Sequence, residues 1–203
     1  IVVHGVALSD MHPCEHWVVG DRIEAGTYLT AGALLGGPIT VEGIDPEFLR
    51  TVLMKFEEMG ANILTTEDSI TVSRTEPLRP TDIQTLPHPG FPTDMQAQFS
   101  VLAAFADGCS VVSENIFENR FMFAAELNRM GSDIRLDGHH ALIHGVSGLQ
   151  GAPVSSPDLR GGAALVIAEG ETRIYDIHHI DRGYEDYVGK LRSLGAHIER
   201  VVV

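Results

Sequence analysis

Three times in 203 residues the chain runs from an acidic residue through a small, apolar stretch to a glycine. A short strand-like run, a second and amphipathic stretch and a Gly-Ala-x-Ile-like ending follow each time. The anchors are Asp21, Gly37 and Met59-Gly60-Ala61-Asn62-Ile63; Asp94, Gly108 and Met130-Gly131-Ser132-Asp133-Ile134; and Asp158, Gly170 and Leu194-Gly195-Ala196-His197-Ile198. From the middle glycine to the last, the first two copies each span 23 residues and the third spans 25. Such a repeat constrains the fold more than any single motif, because each copy is a supersecondary unit that must cover its apolar face with its neighbours. It also exposes the residues that depart from the pattern, where chemistry is expected.

Local signals place elements inside each copy. Asp21 with Glu24 three residues later resembles a capping box ahead of an apolar helix running to about Leu35, stopped by Gly36-Gly37. Pro38–Val41 reads as a strand. Residues 46–59 put Phe48, Leu49, Val52, Leu53, Phe56 and Met59 on one helical face. Ile63–Thr66 and Ser69–Val72 flank Glu67-Asp68 as a hairpin. The second copy repeats the plan: a helix through Phe99, Leu102 and Phe105, a strand over Ser110–Val112, a helix to Met130 and a hairpin around Asp137-Gly138. The third places Tyr184, Tyr187, Val188, Leu191 and Leu194 on one helical face. The first helix of each copy is apolar nearly all round, which predicts burial. The expected architecture is α/β, with three units of about 21–86, 87–150 and 151–203 in pseudo-threefold arrangement around buried helices, an inside-out α/β barrel. Parallel strand pairs from the crossovers are supplemented by hairpins. Residues 1–20 belong to no copy. They read as a lead-in from a preceding domain or an interdomain linker, with strand-like runs at Ile1–Val3 and Trp17-Val18-Val19 around a loop at Asp10–Cys14.

The net charge of −14 disfavours a nucleic-acid partner, which needs a basic face. In so acidic a chain each arginine is a candidate anion contact. Two distant cysteines, Cys14 and Cys109, form neither a metal pattern nor a disulfide framework, which points to a reducing cytoplasm. The histidine pairs His139-His140 and His178-His179 lack ligand spacing, so neither a metal nor a cofactor is assigned. No stretch approaches the roughly 18 apolar residues of a membrane span, so no membrane partner is expected.

Four segments break the repeat at helix N-termini or the strand ends that feed them. In Pro87-His88-Pro89-Gly90-Phe91-Pro92-Thr93-Asp94-Met95-Gln96-Ala97-Gln98, Thr93 and Gln96 match a capping box with Asp94 at the positive helix end. Asp94 there either complements the dipole or serves a site. In Asn115-Ile116-Phe117-Glu118-Asn119-Arg120-Phe121, the aromatics either form a core pair beside a solvated Arg120 or frame a functional arginine. Asp158 and Arg160 flank the first turn of the third buried helix, and Asp181-Arg182 precede the last helix. Pseudo-threefold symmetry brings equivalent positions to one face. Arg22, Arg120, Arg160 and Arg182 are then expected to gather with Asp21, Asp94 and Asp158 on one anion-binding rim.

Four ordered runs, namely Asp21-Arg22-Ile23-Glu24-Ala25-Gly26-Thr27, residues 87–98, Ile116–Phe121 and His179-Ile180-Asp181-Arg182-Gly183-Tyr184-Glu185, resemble the C-terminal part of the UDP-N-acetylglucosamine 1-carboxyvinyltransferase family. The resemblance covers essentially the whole chain. It implies a fold of two domains, each of three α/β units, with the active site in the cleft between them. It also implies transfer of the enolpyruvyl group of phosphoenolpyruvate to the 3′-hydroxyl of UDP-N-acetylglucosamine. That reaction needs a base at the hydroxyl, an acid for the methylene carbon and cations for the carboxylate and phosphate. By resemblance Asp94 sits at the sugar hydroxyl, as base or as orienter, since nearby arginines favour a carboxylate's charged, weakly basic form. Ile116 and Thr93 contact the nucleotide sugar. Arg120, Arg160 and Arg182 contact anions, with the fork of Arg182 suited to the phosphoenolpyruvate carboxylate. Asp158 is placed for proton transfer, with Asp21 and Arg22 orienting the cluster.

Two departures qualify the likeness. The family's reactive cysteine and lysine belong to its other domain. Cys14 and Cys109 match no such motif and read as structural, with Cys109 expected to be buried, so this chain by itself is not expected to turn over. The third buried helix also reads short: Asp158 to Gly170 spans 12 residues, against 16 and 14 in the sister copies. Two rivals remain, an enzyme of the 5-enolpyruvylshikimate 3-phosphate synthase type and a non-catalytic three-repeat binding module.

Overall fold

A computed structural model describes residues 2–168 and 170–201. Its first long element, α1 (Arg22–Leu35), starts where Asp21 accepts hydrogen bonds from the amides of Ile23 (2.7 Å) and Glu24 (3.2 Å). Half of the expected capping box is present: the Glu24 side chain turns away to Lys190 (2.7 Å). The helix ends on Gly36, whose φ of +83° is the left-handed conformation that a glycine adopts without a Cβ penalty. At Gly32 a Cβ would lie 2.6 Å from the Val72 carbonyl oxygen, so the missing side chain is what lets α1 lie directly on the first sheet.

That sheet comprises β1 (Ile39–Glu42), β2 (Asn62–Thr65) and β3 (Ser69–Ser73), with α2 (Arg50–Glu58) joining β1 to β2. The order is β1-β3-β2 and both pairings are antiparallel. The expected helix over 46–59 is split: a 3-10 turn Pro46–Leu49, capped by Asp45, precedes α2. Its predicted face is buried at Leu49, Val52, Phe56 and Met59, while Phe48 is exposed.

The second unit follows the same plan. β4 (Ile83–Gln84) leads through a 3-10 turn, Thr93–Met95, into α3 (Gln96–Ala104). β5 (Cys109–Ser113), α4 (Met122–Arg129), β6 (Asp133–Asp137) and β7 (His140–His144) complete it in the sheet order β4-β5-β7-β6. The third has β8 (Pro153–Ser155), α5 (Leu159–Ile167), β9 (Arg173–Tyr175), a 3-10 turn Ile177–Arg182 and α6 (Tyr187–Ser193). Crossovers through a buried helix give adjacent parallel strands, β4 with β5 and β8 with β9. Crossovers through an outer helix behave differently, because the returning hairpin strand inserts between the two strands they join.

The helices α1, α3 and α5 pack against one another at the centre. All nine residues of α3 are buried. One main hydrophobic core runs through the three units, and a second cluster of Tyr28, Ala163, Ile180, Tyr184, Tyr187 and Leu191 ties the third unit to α1. The fold is therefore mixed α/β, with helices inside and three separate sheets outside. Those sheets are not joined into a closed barrel.

Several expectations fail for physical reasons. Trp17-Val18-Val19 form no strand and are exposed, Trp17 at 94%, because no strand among the described residues supplies hydrogen bonds there. Val2 and Val3 likewise form no strand, and Ile1 lies outside the described residues. Cys109 is exposed, because the pleat of β5 turns Ser110 and Val112 inward instead. The last helix starts at Tyr187, and Leu194 is exposed at its end. The third buried helix, at nine residues, is shorter than the 14 of α1. It equals α3, whose extra reach is the 3-10 turn.

Candidate active site

The N-terminal ends of α3 and α5 and the loop after β5 meet around one carboxylate. Asp94 lies in the Thr93–Met95 turn. Its Oδ1 accepts from Nη2 of Arg120 at 2.5 Å, and its Oδ2 from Nε and Nη2 of Arg160 at 3.4 and 3.3 Å. One carboxylate between two guanidiniums leaves a local charge of about +1, which suits an anion.

Arg120 stands with its guanidinium 4.8 Å from the Phe117 ring centre. Phe117 is exposed and only Phe121 is buried, so the two aromatics do not form a core pair. Arg160 lies 5.3 Å from the ring centre of Tyr184. The Tyr184 hydroxyl is in turn 2.9 Å from Thr27 Oγ1, which accepts from Gln98 Nε2 at 2.9 Å. All three units thus contribute to the support of one arginine. Burial alone would lower the pKa of Arg160, but Tyr184, followed by Asp94 and Asp21, outweighs it and holds the guanidinium above its ordinary value. Its Nη1 is buried without a hydrogen-bond partner among the described residues, a donor that an anionic ligand would satisfy.

Asp158 caps α5, with Oδ1 accepting from the amides of Arg160 and Gly161 at 2.8 Å each. This cap fixes the turn from which Arg160 reaches Asp94. Asp21 does the same for α1. Arg22 is half-buried, and Arg182 ends the Ile177–Arg182 turn, exposed; among the described residues neither makes an ion pair. Ile116 lies at the rim, 37% exposed. The structure therefore joins Asp94, Arg120 and Arg160 directly and leaves Arg22 and Arg182 outside that cluster.

The capping box expected from Thr93 and Gln96 is absent. The residue preceding the turn is Pro92, and both side chains donate instead to Glu114, Thr93 Oγ1 at 2.8 Å and Gln96 Nε2 at 2.9 Å. A buried carboxylate, 21 residues beyond Thr93 and 18 beyond Gln96, is a stronger acceptor than a helix end can offer. Sequence reasoning missed Glu114, and also the roles of Thr27, Gln98 and Tyr184. The one available signal for Glu114 was an acid closing a strand directly before a motif.

The Asp94 carboxylate is partly exposed, its side chain at 34%. Two hollows of ≈ 390 and ≈ 560 Å³ lie elsewhere, between the start of α1, β1 and α6 and around Gly60 and Arg79, and Asp94 lines neither. Among the described residues no group of three His, Cys, Asp or Glu is arranged to hold a metal ion, and no helix is long and apolar enough to cross a membrane.

Residues 1–191 match the family model described as EPSP synthase (3-phosphoshikimate 1-carboxyvinyltransferase). A UDP-N-acetylglucosamine 1-carboxyvinyltransferase of Psychrobacter sp. is 51% identical over 99% of the chain and 47% of its own length. One from Caldanaerobacter subterraneus is 52% identical over 96% and 48%. The chain spans about half the length of the curated relatives it matches. Among solved structures, the enolpyruvyl transferase NikO from Streptomyces tendae aligns with a TM-score of 0.80 at 30% identity, over 88% of this chain and 44% of that one. An EPSP synthase from Acinetobacter baumannii, at 20% identity and a TM-score of 0.67 over 91% and 44%, shares the fold.

Proposed function

The chain belongs to the EPSP synthase (3-phosphoshikimate 1-carboxyvinyltransferase) family, and from that premise we propose that it is one domain of an enzyme moving the enolpyruvyl group of phosphoenolpyruvate to the 3′-hydroxyl of UDP-N-acetylglucosamine. Two relatives about 50% identical and named for that activity support the acceptor. Their doubled length supports a second, N-terminal domain that covers the partly exposed Asp94 cluster. The observation that carries the reading is the Asp94 carboxylate suspended between Arg120 and Arg160. In the addition step the sugar hydroxyl gives its proton to a base as its oxygen bonds to C2 of phosphoenolpyruvate, and C3 gains a proton from an acid. In the elimination step C3 returns a proton and phosphate leaves. Both steps carry anionic groups that fixed cations stabilise in a water-poor cleft.

In this proposal Asp94, engaged on both oxygens by guanidiniums, orients the sugar hydroxyl. Thr93 and Ile116 contact the nucleotide sugar, and Arg120, Arg160 and Arg182 take the phosphate and carboxylate. Arg182, exposed and outside the ion-pair cluster, is suited to a carboxylate that arrives with substrate. Asp158 transfers a proton, with Asp21 and Arg22 shaping the rim. The reaction uses no cofactor or metal and belongs to peptidoglycan synthesis in the cytoplasm.

The family model's own description favours a second acceptor, a shikimate phosphate. Phosphate release by the full-length protein, measured with phosphoenolpyruvate and either UDP-N-acetylglucosamine or shikimate 3-phosphate, separates the two. In the active pairing, Asp94→Asn is expected to cut turnover by about 100-fold, the scale of one acid–base or orienting group, with nucleotide-sugar affinity retained. Unchanged turnover would remove Asp94 from the chemistry.

A further inference from the structure

Glu114 is 1% exposed and pairs with no cation among the described residues, yet its carboxylate is the most heavily bonded side chain of the second unit. Oε1 accepts from Thr85 Oγ1 (3.0 Å) and from the amides of Ile116 (2.8 Å) and Phe117 (3.1 Å). Oε2 accepts from Thr93 Oγ1 (2.8 Å) and Gln96 Nε2 (2.9 Å). The bonds fall into two sets that belong to different pieces of chain. One oxygen holds the end of β4 and the loop that carries Ile116, Phe117 and Arg120. The other holds the turn carrying Asp94 and the first residue of α3. Thr85 extends the clamp, because its hydroxyl also accepts from the Asn115 amide at 2.9 Å.

From this geometry we propose that Glu114 is a positioning residue that keeps the Thr93–Asp94 turn and the Ile116–Phe117 loop in register, so that the two sides of the acceptor-sugar site close on one ligand. The proposal rests on the function proposed above. Within it, Glu114 acts chiefly on the acceptor side: of the proposed anion contacts only Arg120 lies on the clamped loop, where Asp94 also holds it, whereas Arg160 is placed by its own helix and by Tyr184 as well as by Asp94, and Arg182 lies in the third unit. Each of the five groups facing the carboxylate donates to it, and orphaned buried donors are costly.

The geometry also ranks the substitutions. Glu114→Gln preserves shape. Its Oε1 still accepts the three donors on that side, and its Nε2 donates to Thr93 Oγ1 and to Gln96 Oε1, a buried atom without a partner among the described residues that a flip of the Gln96 amide turns inward. Glu114→Asp withdraws both oxygens by one methylene and cannot reach both pieces of chain. Glu114→Ala orphans all five donors and risks misfolding, so Glu114→Asp is the informative variant.

In the full-length enzyme, Glu114→Asp is expected to raise KM for UDP-N-acetylglucosamine at least tenfold, with KM for phosphoenolpyruvate within about twofold. Glu114→Gln is expected to stay within about threefold of the parent for both, ranges set by one or two broken hydrogen bonds. A change of both KM values in parallel, an unchanged nucleotide-sugar KM, or Glu114→Gln behaving like Glu114→Asp overturns the proposal. Amide hydrogen exchange on the same proteins decides it independently of activity. Exchange at Ile116 and Phe117 should accelerate at least tenfold in Glu114→Asp and not in Glu114→Gln, and equal protection in parent and Glu114→Asp refutes the clamp. An enzyme that fails to use this acceptor sinks the proposed function, while the exchange measurement still judges Glu114.

Discussion

Phe99 is where the packing of the three units can be measured with one residue. It is fully buried in α3, its ring centre 4.7 Å from that of Phe56 in the first unit and 5.0 Å from that of Phe91, which meets it edge-on. Phe91 lies two residues before Thr93, so this packing supports the loop that delivers Asp94. Truncation by Phe99→Ala removes a full aromatic side chain from a dense interior and costs about 3–5 kcal/mol, transfer and cavity terms together. Each of the two ring pairings accounts for about 0.5–1.5 kcal/mol of that. For a chain of this length 1 kcal/mol moves Tm by about 2–4 °C, so the expected fall is about 6–20 °C. Thermal and urea unfolding followed by circular dichroism measures it, with Phe99→Leu, which keeps an apolar side chain but loses both ring pairings, expected to fall between the parent and Phe99→Ala. A double-mutant cycle with Phe56→Leu should return a coupling of about 0.5–1.5 kcal/mol. A destabilisation below about 1 kcal/mol for Phe99→Ala would show that the units do not share a rigid core, and the account of how the Asp94 loop is held would fall with it.

Two further outcomes follow from backbone packing and from titration. At Gly145 a Cβ would come within 1.6 Å of the Ala106 carbonyl oxygen, so Gly145→Ala must displace backbone and should destabilise by about 1–3 kcal/mol or more, read as a lowered urea midpoint; an unchanged midpoint would contradict the close approach. Burial raises the pKa of the phenols of Tyr28, Tyr184 and Tyr187. Their contribution to stability is therefore complete below the ordinary tyrosine value of about 10 and is lost as pH rises through the higher folded-state values. Tyrosinate absorbance from these three should appear together with loss of circular dichroism in alkaline titration. Its appearance in a fully folded protein would count against their burial.

What the sequence disclosed was local chemistry. Asp21 and Gly36 bound α1 because a cap and a left-handed stop are decided within a few residues. The hairpins around Glu67-Asp68 and Asp137-Gly138 were equally legible. Features decided at a distance were not. Thr93 and Gln96 match a capping pattern, but the competing acceptor, Glu114, stands just beyond β5. Cys109 looks like a core residue until the register of β5 is known. Ser110, polar and therefore an unpromising core residue, is buried because its hydroxyl accepts from the Thr81 amide at 3.0 Å. The site was legible as a set of candidates, since symmetry indicated one rim. Which of them touch was not, because Asp94, Arg120 and Arg160 meet only through the packing of α3 on α5.

The strand order of the first two units bears on how the chain is made. Among the described residues β1 pairs only with β3, and β5 has β7 on one side, so each waits about 30 residues for the strand that covers that edge. During synthesis the early strand leaves the ribosome with an open edge, and such edges are templates for pairing with another chain. Charged residues stand close by, Glu42 on β1 and Asp107 just before β5. A nascent chain of this topology is most exposed to aggregation between the emergence of β1 and that of β3, an interval that a slowly translated stretch within α2 would lengthen.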